Sequence, residues 1–182
     1  MDHGRERSGD TVSMLQDEDL LLALLNSAPA VDGRISEGLD GEAGRAFVDR
    51  FGGNGSSGER LALERMRGAL QRIVRGAAAE FELAGPLTST VLVPRVSSSG
   101  IHWEPSAAPD DLLPARAAIA WSSVTADLPG RLRACANTEC NLFLLDRSRP
   151  GTARWCSMAT CGNRMKARAH AERHRASARS DA

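Results

Sequence analysis

All four cysteines of this 182-residue chain lie between Arg131 and Arg175, in two pairs of the same form: Cys135-x₄-Cys140 and Cys156-x₄-Cys161, with fifteen residues between the pairs. Two short-spaced pairs separated by a hairpin-sized insert suit a tetrahedral ion, because each pair wraps one side and the insert carries the chain back. The spacing predicts one zinc ion held by Cys135, Cys140, Cys156 and Cys161. Four thiolates leave no open coordination position, so the site is structural. In so short a segment zinc binding is also folding free energy, on the order of 10 kcal/mol. Iron–sulfur ligation fits the count, but the symmetric pairs favour zinc. Two disulfides are the weakest reading for a chain expected in a reducing compartment. His170 and His174, four residues apart, are potential ligands, but the cysteines already fill the shell.

Around the cysteines the sequence predicts local structure. Leu142 to Leu145 alternate, Asp146 to Gly151 can turn, and Ala153 to Trp155 can return, so the insert reads as a β-hairpin. After Cys161, Gly162-Asn163 precedes a run of good helix formers. The last ligand is therefore expected at the head of a helix, with Asn163 as its cap and backbone amides stabilising the thiolate.

A net charge of zero conceals an asymmetry. Met1 to Gly130 carries twelve Arg against nineteen acidic residues, a balance of minus seven; Arg131 to Ala182 carries ten Arg and one Lys against four, a balance of plus seven. A basic end that meets a polyanion is one reading; two surfaces that attract each other is the other. The amino end is polar and acidic, with no apolar stretch after a basic start, and the longest apolar run, Leu20 to Leu25, is too short to cross a bilayer. A cytoplasmic protein with no membrane partner is expected, nucleoid-associated when bound to DNA. Aromatic residues make up 4% of the chain and Tyr is absent, so the core is expected to be Leu, Ala and Val.

Residues 1–11 are expected to be a disordered tail. A helix is predicted from a cap at Ser13 to about Asn26–Pro29, followed by a glycine-rich segment with a short helix near Glu42 to Phe51 and a flexible loop at 52–58. Glu59 to Leu83 has the clearest helical period: Ala62, Leu63, Met66, Leu70, Ile73, Val74 and Ala77 share a stripe, and Arg60, Arg67, Gln71 and Arg75 read as a solvated face. Gly85-Pro86 is expected to stop it. Leu87 to Val96 and Ile101 to Trp103 read as two strands with Pro94 at an edge. A last helix, capped by Asp110 or Asp111, runs to Pro129-Gly130, where the basic region begins.

Trp155-Cys156-Ser157-Met158, Cys161-Gly162-Asn163-Arg164 and Lys166 to His170, with Arg133-Ala134-Cys135-Ala136-Asn137 and the Phe143 to Ser148 segment, resemble the CGNR zinc finger family. Leu21 to Arg34 and Arg60 to Val74 are similar to the ABATE domain that precedes this finger. The resemblance implies a stress-induced transcriptional regulator that binds DNA. The organisation expected is an ABATE-like domain over 12–130, a CGNR zinc finger over 131–178 and a tail over 179–182. The fold class is α+β and mainly helical: a helical amino-terminal domain with a small β-hairpin, then a four-cysteine finger of hairpin plus helix.

The candidate DNA-binding residues are Arg164, Lys166, Arg168, Arg175, Arg131, Arg133 and Arg154. On a helix from Asn163 to about Ala178, Arg164, Arg168, Arg175 and Arg179 share one sector, supplying phosphate contacts and arginines able to pair with guanine in a major groove. Arg131, Arg133 and Arg154, like Arg147 and Arg149, are expected to touch backbone rather than bases. The expected partner is double-stranded DNA, with a small-molecule effector and a homodimer as further partners of the amino-terminal part. Nothing before Gly130 gathers a nucleophile, a base and oxyanion donors, so no enzyme is expected. The rival reading is a zinc-braced adaptor whose basic face docks an acidic protein.

Overall fold

The computed structural model describes residues 8–31, 34–98 and 100–180. These residues are mainly helical, with three small antiparallel hairpins among them. Helix α1 spans Ser8–Leu25, β1 Ala30–Val31, β2 Arg34–Ile35, α2 Gly41–Phe51 and α3 Ser57–Val74. A 3₁₀ turn at Glu80–Leu83 precedes β3 (Val91–Ser97), β4 (Gly100–Ser106) and α4 (Leu112–Asp127); β5 (Leu132–Ala134), β6 (Phe143–Leu145) and α5 (Asn163–Ser180) complete the order.

The core is a helical layer built from leucine and alanine. Leu20, Leu21, Leu24 and Leu25 of α1 meet Leu63, Met66 and Leu70 of α3, and Leu113, Ala117 and Val124 of α4. Small residues on α4, Ala115, Ala117, Ala118 and Ala120, are all buried, which lets its backbone come close to its neighbours. Of the expected Leu, Ala and Val core, leucine and alanine dominate and valine contributes Val124, joined by Met66 and by Phe51 and Phe143. Phe143 belongs to β6, so the cysteine region and the helices share one core. Leu132, Ala134 and Leu145 pack on the same cluster.

Several expectations need correction. Helix α1 starts at Ser8, reaching back past the expected cap at Ser13 into the expected tail; residues 1–7, 181 and 182 lie outside the described residues. The long central helix ends at Val74, because Gly76 takes a φ of 70° and turns the chain nine residues before Gly85. Its polar residues are not simply a solvated face. Arg67 is 9% exposed and forks onto Glu37 at 2.8 and 2.6 Å while also donating to Ser27 Oγ at 2.7 Å. Gln71 donates to the Leu25 carbonyl at 2.8 Å, so α3 side chains satisfy the open carbonyl end of α1.

The glycine stretch at 52–58 is pinned by hydrogen bonds. Ser56 caps α3 by accepting from the Glu59 N–H at 2.9 Å, and the buried Glu59 carboxylate accepts from the Gly55 N–H at 2.8 Å. This is a variant of the capping box. A side chain at Gly53 would lie 2.7 Å from that carboxylate, so the loop needs glycine there. Asp110 accepts from Asn54 at 2.9 Å and Ser56 at 2.6 Å, and neither it nor Asp111 caps α4 through its side chain. The first strand of the middle hairpin begins at Val91, since 87–89 form turns.

Candidate metal centre

The metal region begins with a pairing different from the expected one. β6 pairs with β5, the strand before the first cysteine (Leu132↔Leu145, Arg133↔Leu144, Ala134↔Phe143), and Ala153 to Trp155 form no strand. The return is made irregular by Asp146. This buried carboxylate accepts from the Ser148 N–H at 2.9 Å, Ser148 Oγ at 2.6 Å and the Ala153 N–H at 2.9 Å, with Arg133 at 3.3 Å. A loop folded around one carboxylate has no free edge to offer a third strand. The Ser148 hydroxyl leads the contacts that hold the Asp146 carboxyl below its ordinary range, and burial opposes it.

The loop delivers Cys156 to the first pair. Cys135 accepts from the Cys156 N–H at 3.5 Å, and the Ala136 N–H donates to the Arg154 carbonyl at 2.8 Å. Cys161 arrives on a one-turn π-helix, Met158–Gly162, whose cap is Ser157, accepting from the Thr160 N–H. Asn163 does not cap the head of α5 with its side chain: it is helical, closes the Met158–Gly162 turn, and donates backwards to the Ala159 carbonyl at 3.4 Å. Gly162 is buried where a Cβ would meet Met158 Sδ at 2.7 Å and the Trp155 ring at 3.1 Å. A larger residue there would push the exposed Met158 side chain aside and crowd the Trp155 ring.

The four Sγ atoms all lie within 4.8 Å of one another, and Cys140–Cys156 and Cys156–Cys161 are each 3.7 Å apart. Zinc–sulfur bonds of about 2.3 Å at tetrahedral angles place sulfurs about 3.8 Å apart. Disulfide sulfurs would sit near 2.05 Å, and all four cysteines are free. The donor set thus fits a single structural zinc ion.

Asn137 is a residue the sequence reading did not single out. It is 1% exposed; its side-chain oxygen accepts from the Glu139 N–H at 3.2 Å, and its Nδ2 donates to Cys161 Sγ at 3.5 Å. The amide ties the first cysteine loop to the last ligand and orients a thiolate, as outer partners do around zinc. Burial pushes the Cys140 and Cys156 thiols up. At Cys161 burial is outweighed by the Asn137 amide and the neighbouring thiols, which hold it below its ordinary value.

The candidate basic residues separate into two groups. Arg131 donates to the Ser148 carbonyl at 2.6 Å, and Arg133 to the Gly151 carbonyl at 3.0 Å and to Asp146, so both are turned into the loop. Arg154 is exposed, its guanidinium 5.2 Å from the Trp155 ring centroid. Arg164, Lys166, Arg168 and Arg175 are brought together along α5, all exposed. Arg168 also pairs with Glu139 at 2.8 Å, leaning the helix on the first cysteine loop. The side chain of Arg179 lies outside the described residues. His170 and His174 stack edge to face with ring centroids 4.4 Å apart, away from the cysteine cluster.

Two asparagines fasten this module to the helices. Asn26, just past α1, accepts from the Phe143 N–H at 2.8 Å and donates to its carbonyl at 3.2 Å. Asn141 accepts from the Ala30 N–H at 2.8 Å and donates to the Ala28 carbonyl at 2.7 Å. Arg75, the residue that caps the end of α3, donates to the Asn141 carbonyl and lays its guanidinium 4.3 Å from the Phe143 ring centroid. Arg147 pairs with Glu18 of α1. Side-chain amides exchanging both bonds with backbone leave no visible period in a sequence.

Residues 131–174 match the family model of the CGNR zinc finger. No curated protein matches the chain.

Proposed function

We propose, from the match of residues 131–174 to the CGNR zinc finger model, that this chain is a DNA-binding transcriptional regulator, its amino-terminal part ABATE-like and responsive to stress or an effector. The observation that carries the reading is α5: it runs directly from the ligand turn and presents Arg164, Lys166, Arg168 and Arg175 exposed on one metal-braced element. A helix is the element that fits a major groove, and its cations supply phosphate contacts. Zinc holds the base of the helix and takes no part in chemistry, and the protein acts without catalysis. No helix among the described residues is long and apolar enough to cross a membrane, which agrees with a cytoplasmic regulator.

With Arg131 and Arg133 turned inward, DNA contact falls to α5 and to the exposed arginines of the loop, Arg147, Arg149 and Arg154. Salt-titrated gel shifts against genomic fragments test this. The zinc-loaded protein should bind with a log–log salt slope of several counterions, and Arg164→Ala with Arg168→Ala should reduce both affinity and slope. No binding at low salt would refute the proposal. The ion pairs of Arg147 with Glu18 and Arg168 with Glu139 favour a second reading, a protein-docking adaptor, since the module's arginines already meet carboxylates. That reading requires retention on an acidic protein partner with no salt-dependent DNA binding.

A further inference from the structure

We propose that the chain self-associates by packing one face of the β3–β4 hairpin on the same face of a second copy. The register pairs Leu92 with Pro105, Pro94 with Trp103 and Val96 with Ile101, and strand alternation puts these six residues on one side. No polar side chain interrupts them. Leu92, Val96, Ile101 and Trp103 are 52, 83, 69 and 62% exposed. The opposite side carries Val93 and His102, both half-buried, and the Arg95–Glu104 pair at 3.3 Å, and β4 touches α4. That side is also open to solvent, with Val91 58% exposed and the Arg95 and Glu104 side chains 61 and 53% exposed, but its polar groups interrupt it, so the six-residue side is the continuous apolar one.

The prolines decide how this surface is used. Proline cannot donate to a ladder, so the three pairs on this face are the non-hydrogen-bonded ones, and the missing N–H groups of Pro94 and Pro105 fall on the two outer edges. Both edges are thereby blunted against strand addition. What is left is the face itself, whose side chains stand closest together in such pairs.

A two-stranded hairpin alone is marginal in water and needs a layer on its apolar side. With Pro94, the face offers on the order of 600 Å² of apolar surface per copy, the upper end of what a monomer leaves uncovered and most of the roughly 800 Å² per partner in a standard interface. The same face on a second copy covers it about a two-fold axis, sheet on sheet. The face carries no cation for nucleic acid and no charge to select an unlike protein. A self-match needs neither. Trp103, at its centre, is the anchor.

Sedimentation equilibrium of the full zinc-loaded chain across the micromolar range tests the proposal without DNA, so its outcome is separate from that of the regulator reading. A monomer–dimer equilibrium is expected. Trp103→Glu should raise the dissociation constant about thirtyfold, as loss of an interface anchor does. Val96→Lys, next to the turn, should act in the same direction, and circular dichroism should show native helix content in both. Val91→Ser, on the other face of the same strand, should leave the constant unchanged. A chain that is monomeric throughout, including one that binds only an unlike protein, overturns the proposal. So does a dimer indifferent to both Trp103→Glu and Val96→Lys, or as sensitive to Val91→Ser.

Discussion

Asn137 offers a sharp test of how single residues hold the metal centre. Its amide donates to Cys161 Sγ while its oxygen closes the loop between the first two ligands. Asn137→Ala should lower zinc affinity about 10- to 100-fold, the usual cost of losing an outer partner, read by competition with a chromophoric chelator. Glu37 gives a pH test. The Arg67 hydrogen bonds, opposed by burial, hold its carboxyl below the ordinary range. Its contribution to stability is thus complete above the ordinary Glu pKa of about 4.3 and is lost as the pH falls through the lowered value. The difference in urea midpoint between the parent and Glu37→Gln should be full at neutral pH and should shrink in acid. At this scale the cysteines were legible because spacing carries their chemistry. Asn137 and Asp146 were not, because a buried side chain bonding to backbone and sulfur a few residues away leaves no pattern.

At the scale of elements, period and breaker residues found most helices but not their partners. Alternation in Leu142 to Leu145 marks a strand; nothing in alternation says whether it pairs forward with Ala153 to Trp155 or backward with Leu132 to Ala134. Asp146 decides it by gathering the forward segment into a loop. The helical stripe of α3 likewise hides that its polar side makes bonds: Arg67, Gln71 and Arg75 join α1, β6 and the loop before it. Phe143, 1% exposed beneath the Arg75 guanidinium, is the point where strand and helices meet. Phe143→Ala should destabilise the fold by about 3–5 kcal/mol. Urea unfolding followed by helix signal, far from β6 in sequence, should report the loss.

For the whole molecule, the charge split and the Pro129-Gly130 stop separated two regions in sequence that share one core in space. Phe143, Leu132 and Leu145 lie in the same cluster as the leucines of α1 and α3. Removing zinc should therefore lower the melting temperature of the entire chain in one calorimetric transition. A finger that melts alone, leaving the helical part at its original temperature, would contradict this. The basic helix is the exception to the shared core. Its residues 163–175 are almost all exposed, and it meets the rest of the protein mainly through the ligand turn. A helix of this length with so little packing has to be started by something, because forming the first turn is the unfavourable step and propagation is nearly neutral. The turn carrying Cys161 supplies that first step, and sulfur–metal bonds would hold it closed. In helix–coil terms zinc would act as a nucleation site, and its removal should turn the cationic arm from a rod into a coil, read as lost helix signal.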